Sequence, residues 1–246
     1  MCVGLNCIVG RLEILKSEYK SYKNFRRKLP DFLIKIDEGN GESYITELIS
    51  ETYKDNDLRN FTGKSICLEY KLDGSYSQIE EIFNDIDNMC CYGNEYEGVI
   101  AINITALVDY FNREQFDLFI ENVKKYSEFS SFILFINPKS SKEGVRFYDK
   151  IVKELEWFEQ YKVDRYSNSD FVDIVLERLE SMDITITSEE ALSKVLSAII
   201  EKSKVQVCRD IKIVIDDVIR NVDYDMYTPE INSTSIKKLE IKYKVG

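Results

Sequence analysis

The sequence predicts an α/β protein, with a mostly parallel five-stranded sheet flanked by helices in a three-layer sandwich, followed by a small all-α domain. Three observations predict it. Short apolar runs alternate with amphipathic stretches from residue 11 to about residue 166. The stretches between the runs are long enough to cross over, as parallel strands require. From Ser167 the texture changes, and the chain reads helical almost to residue 222.

The elements follow in order. A helical lead-in is expected over 11–25, inside a first segment 1–28. The α/β domain is expected over 29–166, with strand 32–36 (FLIKI), helix 44–54, strand 65–71 (SICLEYK) and helix 77–89. Strand 98–103 (GVIAIN) precedes one long helix over 105–127, in which Leu107, Phe111, Phe116, Phe119 and Ile120 mark a buried face. Strand 131–136 (SFILFI) ends at Asn137-Pro138, helix 144–158 follows, and strand 161–166 (YKVDRY) closes the series.

Residues 167–222 form the helical domain. Ser167–Asp170 is a capping cluster, Phe171, Ile174, Val175 and Leu179 give one helix, and Ser188 is expected to cap the next. Ile211, Val214, Ile215, Val218 and Ile219 give a third. In the tail 223–246, Thr234–Val245 is expected to add an edge strand.

Composition narrows the function. The 246 residues are 44% hydrophobic and 31% charged, ordinary for a folded chain with a real core. The net charge of −11 lacks the Lys/Arg surplus that nucleic acid or an anionic membrane would demand, so neither is expected as a partner. Lys16–Lys28 (KSEYKSYKNFRRK) is a local exception. It reads first as a solvated helical face, with a docking surface for an acidic partner as the alternative.

Six cysteines (Cys2, Cys7, Cys67, Cys90, Cys91, Cys208) form no CxxC pair, and histidine is absent. Zinc sites and metal ligation of the Cys/His kind are therefore not expected, and Ser-His-Asp and Cys-His mechanisms are excluded. Cys67 reads as a small core residue, and vicinal Cys90-Cys91 as a redox candidate. The opening MCVGLNCIVG is too short for a membrane span and lacks a basic lead, so a soluble, cytoplasmic protein is expected. Paired acids such as Glu80-Glu81 and Asp216-Asp217 read as solvated faces rather than glycosidase carboxyls.

One segment carries more than fold. In FLIKIDEGNGESYITELIS (32–50) an apolar run ends at Asp37, Gly39-Asn40-Gly41 is a flexible turn, and Ile45, Leu48 and Ile49 have helical spacing. Against the phosphate-binding pattern G-x-x-x-x-G-K-[ST], Gly41 and Ser43 match, while Glu42 replaces the lysine and Ile36 the leading glycine. The letters GKS at Gly63-Lys64-Ser65 are a decoy, because a strand follows them where a helix must open.

Five βα units, a helical bundle and this turn resemble an AAA+ ATPase module of the P-loop NTPase type, over roughly residues 10–222. LIKIDEGNGES stands at the Walker A position and GVIAINITAL at the Walker B position. FILFINPKS places Asn137 at sensor 1, YKVDRYSNSDFVDIVLERL leads into the first lid helix, and VQVCRDIKIVIDDVIRN places Arg209 at sensor 2. Arg146 lies where an arginine finger sometimes falls.

The resemblance implies an assembly module whose chemistry is damaged. Glu42 sets a carboxylate where a lysine should meet the phosphates, and at an effective dielectric of ~20 a unit charge there is worth roughly 4 kcal/mol. Asn103 replaces the acid that holds magnesium, and Ile104 the acid that positions water. Phosphoryl transfer rests on positioning and charge, so the loss of all three implies no catalytic residues and a pseudo-ATPase. Gly39, Asn40, Gly41, Glu42, Ser43, Asn103, Asn137 and Arg209 are then vestigial nucleotide-binding candidates. The backbone N–H groups of Gly39–Ser43 at a helix start could hold an anion. No cofactor and no metal are expected, with weakly held ATP or ADP and magnesium as the alternative. The expected partner is a protein, either an active AAA+ ATPase or a second copy of the chain.

Overall fold

The computed structural model describes residues 5–25, 28–55, 67–72, 76–90, 98–109, 113–128, 130–138, 142–221, 223–224 and 229–245. The Gly63-Lys64-Ser65 decoy, Cys91 and the side chains of Cys67 and Cys90 lie outside what is described. The chain divides into two compact units. One comprises Cys7–Glu38 and Glu42–Val163. The other comprises the chain from Asp164 onward together with Gly39–Gly41 and, at the start of the chain, Leu5 and Asn6.

The first unit is built on a parallel sheet. Its strands are β1 (Phe32–Lys35), β2 (Cys67–Lys71), β3 (Val99–Asn103), β4 (Ser131–Ile136) and β5 (Glu159–Lys162), in the order β2-β3-β4-β1-β5. Every pairing is parallel, with Lys35 in register with Ile136 and with Lys162. The burial of each strand matches its place. All six residues of β4 are buried, as are Phe32–Ile34 and Val99–Ile102, because inner strands of such a sheet are covered on both faces. At the edge, β5 alternates between half-buried and exposed residues.

Helices α1 (Asn6–Phe25), α2 (Glu42–Asp55), α3 (Tyr76–Cys90), α4 (Thr105–Asp109), α5 (Arg113–Tyr126) and α6 (Lys142–Glu154) accompany the strands. Phe83 meets Phe119 edge-on and stacks on Tyr126, both at 5.9 Å between ring centroids, within a core that includes Ile100, Phe132, Leu134 and Ile151. Arg11 on α1 grips Glu159 on β5 through Nε and Nη2 at 2.8 and 2.7 Å.

One expectation needs correction in this unit. The helix expected over 105–127 is described over α4 and α5, and residues 110–112 lie outside the description. The fifth strand lies two residues earlier at its start than 161–166. It is a polar edge strand whose limits come from pairing with β1, ending with the Val163 N–H on the Lys35 carbonyl at 2.9 Å.

The second unit holds α7 (Asn168–Ser181), α8 (Glu189–Ser203), α9 (Ile211–Ile219) and α10 (Ser233–Tyr243) around a core of its own, including Phe171, Leu192, Val214 and Leu239. Ser167 forms a complete capping box. Its hydroxyl accepts from the Asp170 N–H at 3.2 Å, while the Asp170 carboxylate accepts from the Ser167 N–H at 2.6 Å. Ser188 stands at the N-cap of α8 but makes no side-chain capping bond, contrary to expectation. A small sheet, ordered β6 (Thr185–Ile186), β8 (Pro229–Ile231), β7 (Asp223–Tyr224), accompanies these helices without a signal in the periodicity.

The predicted edge strand over Thr234–Val245 is wrong, because the segment is α10. Leu239, Ile241, Tyr243 and Val245 alternate as a strand would. The structure instead uses the helical set Ile236 and Leu239, both buried, and leaves Ile241 79% exposed. Asn232 decides it by accepting from the N–H groups of Thr234 and Ser235 at 2.9 and 3.1 Å.

Candidate functional site

The carboxyl ends of the inner strands carry a continuous polar chain. Leaving β1 the backbone runs toward β2 on one side, whereas leaving β4 it runs toward β5 on the other. The crevice between β1 and β4 is therefore the topological switch point, where sheets of this kind place ligands. Asp37 follows β1 and Asn137 follows β4, and Asn137 Nδ2 donates to Asp37 Oδ1 at 2.9 Å. The Asn137 N–H donates to Thr105 Oγ1 at 3.0 Å, and the Thr105 N–H donates to Asn103 Oδ1 at 3.0 Å.

Asn103 thus turns its side-chain oxygen back on the backbone that opens α4, an Asx-type turn. Ile104, where the resemblance wants an acid, is fully buried and belongs to the core. Glu38 pairs with Lys71 at 2.5 Å across an exposed rim. Asp37 entered the sequence reading only as the end of an apolar run, and Thr105 was not a candidate. The Asn-Pro strand end flagged only Asn137, because the bond that defines Asp37 spans one hundred residues.

At the opposite, amino end of the sheet lies a second polar cluster that the sequence did not announce. Asp31 is 1% exposed and accepts from the Phe132 N–H at 2.8 Å, Trp157 Nε1 at 2.9 Å and Lys28 Nζ at 2.6 Å. Burial pushes its carboxyl above the usual range, outweighing the opposing pull of Lys28 and the donors. Every partner is structural, so this is a clamp joining β1, β4 and the turn after α6.

The remaining candidates group elsewhere. Gly39 and Gly41 have φ of +86° and +102°, conformations that an L side chain rarely adopts. Gly39–Gly41 belong to the unit built from Asp164 onward, and the contacts there are specific. The Gly39 carbonyl accepts from the Arg209 N–H at 3.2 Å. Asn40 is 2% exposed, its Oδ1 accepts from the Cys208 N–H at 3.4 Å, and its carbonyl accepts from the Tyr166 hydroxyl at 3.3 Å. A Cβ on Gly39 would lie 3.3 Å from Arg209 Nη2 and 3.4 Å from Val207 Cγ2.

Glu42 and Ser43 open α2, with the Glu42 carbonyl accepting from Thr46 Oγ1 at 2.9 Å. An acid in a first helical turn is favourable to the backbone dipole by about 0.3–1 kcal/mol, so Glu42 suits the helix whatever it does to a phosphate. The structure therefore brings Asn103 and Asn137 together in one unit, and Gly39, Asn40 and Arg209 together in the other. Arg146 is exposed on α6. Among the described residues no group of three or more His, Cys, Asp or Glu could hold a metal ion, and no helix is long and apolar enough to cross a membrane.

No protein-family model and no curated protein matches the sequence. Solved structures do match. A variant of RuvB from Thermotoga maritima is 13% identical with a TM-score of 0.57, covering 98% of this chain and 70% of that one. The Thermotoga maritima RuvB described as a Holliday junction branch migration motor gives 13%, a TM-score of 0.56 and the same coverage. Caenorhabditis elegans PCH-2 is 9% identical with a TM-score of 0.57, covering 97% and 69%. The chain has the AAA+ P-loop NTPase fold, with a mostly parallel five-stranded sheet and a helical C-terminal part. Identities this low speak for fold alone.

Proposed function

We propose that this chain is a catalytically inactive AAA+-type module that works by binding protein, either as a scaffold or as a regulatory subunit. The observation that carries it is Glu42. A carboxylate opens α2 directly after the glycine turn, where a nucleotide-handling member of the fold needs a cation. Two further features support it. The Asn137 amide is engaged by Asp37, and the Asn103 side-chain oxygen by the Thr105 N–H, so both vestigial positions have internal partners. Ile104 brings no proton chemistry.

An excess of acid over base suits a partner surface rather than nucleic acid. The partner is a second copy of this chain or an active AAA+ ATPase that accepts it as a subunit. RuvB is a motor on Holliday junctions; nothing in the −11 charge of this chain favours that substrate.

Calorimetric titration with ATP and Mg²⁺ tests the reading, alongside light scattering with and without nucleotide. The expected result is no saturable heat, no phosphate release, and assembly or partner capture independent of nucleotide. Micromolar binding that Ser43→Ala or Gly41→Val abolishes would establish the rival, a weak NTPase or atypical ATP-binding protein.

A further inference from the structure

Two patches of opposite charge stand at opposite ends of α8 in the helical unit, each with an exposed apolar side chain. α7 ends at Ser181 and α8 starts at Glu189, so a short turn sets the end of one beside the start of the other. Met182 is 47% exposed in that turn, and backbone bonds from Met182 and Ile184 to the Leu179 carbonyl, at 3.1 and 3.2 Å, hold it in place. Glu180, Asp183, Glu189 and Glu190 are exposed on the same stretch; Arg178 opposes them, and Lys194 pairs with Glu190 at 2.8 Å.

The other end is basic. The Thr187 N–H donates to the Ile231 carbonyl at 3.1 Å just ahead of α8 and α10, and Lys202 Nζ donates to the carbonyls of Tyr243 and Lys244 where both helices finish. The two helices therefore run side by side in one direction, along the ~22 Å that the fifteen residues of α8 span. Ile241 is 79% exposed, with exposed Lys237 one turn before it and Lys244 one turn after, and exposed Lys202 and Lys204 end α8. Of the acids here, Asp217 accepts from Lys242 and Tyr243, Glu240 is half-buried and Glu201 is exposed.

Local stability does not ask for this arrangement. An acid such as Glu180 in a last helical turn opposes the helix dipole. The third exposed apolar side chain described in the unit, Ile213, has charges of both signs beside it, Lys212 and Asp216. Met182 and Ile241 instead have rims of opposite sign, and the length of α8 keeps them apart within one molecule. We propose that copies of this chain associate head to tail, the Ile241 end of one helical unit seating on the Met182 end of the next. An apolar centre inside a charged rim is the anatomy of a protein interface. The inference rests on the reading of the chain as a protein-binding module, and it names a second copy as the partner and the helical unit as the contact. Because the two patches differ, the contact repeats from copy to copy. Its exposed charges make it weak and sensitive to salt.

Light scattering on the full chain over a concentration series tests it. At low salt the average mass of the unmodified protein rises at least about twofold, as pairing requires, and ~1 M salt, with a screening length of ~3 Å, cancels most of the rise. Ile241→Lys, Lys237→Glu and Glu180→Lys each hold the monomer mass while melting like the unmodified protein. An equimolar mixture of Lys237→Glu and Glu180→Lys regains the rise, since each reversed patch then meets one of opposite sign. A monomer at every concentration overturns the contact, as does a rise that survives the single changes or a mixture that fails to recover. Capture of anionic vesicles or duplex DNA without self-association overturns it too. Should a charge swap fail to fold, Ile241→Lys still decides, because undiminished association in that variant overturns the contact. A monomeric protein leaves the proposed function standing with a different protein as partner, whereas a saturable heat with MgATP overturns that function and leaves the contact untouched.

Discussion

Asn137 Nδ2 donates to the Asp37 carboxylate at 2.9 Å, joining the carboxyl ends of two neighbouring parallel strands across the switch-point crevice of the sheet. A carboxylate acceptor makes this the stronger kind of hydrogen bond, and both residues are only half-buried. The pair ties β1 to β4 at the point where ligands of such sheets normally sit. It also continues through Thr105 to Asn103, so that three strand ends share one network.

That network should show as coupling. In a double-mutant cycle of Asp37→Ala and Asn137→Ala, urea denaturation should give an interaction of about 1.5 kcal/mol, the lower end of the range for bonds to charged groups. Additive effects would mean that the two side chains do not meet in solution.

Asp31 makes a pH prediction with a definite sign. Its native carboxyl titrates above the ordinary 3.8, so the folded state binds the proton more tightly than the unfolded chain. The associated stability is present below pH 3.8 and is lost as pH rises through the native value. Relative to Asp31→Asn, the unmodified protein should therefore gain stability as pH falls through that window. Trp157, the sole tryptophan and a direct partner of Asp31, supplies the fluorescence readout. A stability difference that is flat with pH, or that shrinks on acidification, would contradict the burial argument. Asp31→Ala should cost about 2–4 kcal/mol at neutral pH, because it strands buried donors.

The helical state of the C-terminal segment is tested by two neighbours of equal apolarity. Leu239 is fully buried and Ile241 is 79% exposed. Leu239→Ala should cost about 2–4 kcal/mol, whereas Ile241→Lys should stay within about 0.5 kcal/mol. A strand would place both side chains on one face and penalise both changes. Thermal melts of the two variants are enough to decide.

Local order was legible wherever a pattern repeats over a few residues. The buried run of β4 was placed to the residue, and the Ser167 capping box was visible as Ser167 and Asp170 three apart. Edge strand β5 was misplaced because its polar residues carry no apolar period, and α10 was misread because Leu239–Val245 satisfies period two as well as part of a helical one. The candidate residues were found one by one, through the order of motifs, without their partners.

By itself the sequence determined that strands alternate with helices, that residues 167–222 are helical in texture, and that an acid follows the glycine turn. These are properties of neighbours two to four residues apart, which backbone geometry alone converts into periodicity. Only the tertiary structure decided that β1 lies between β4 and β5, that Asp37 therefore meets Asn137, and that Asn40 seats on Cys208 and Arg209 binds Gly39. Those contacts span one hundred residues or more, and their partners are chosen by strand order and packing, which no local repeat encodes.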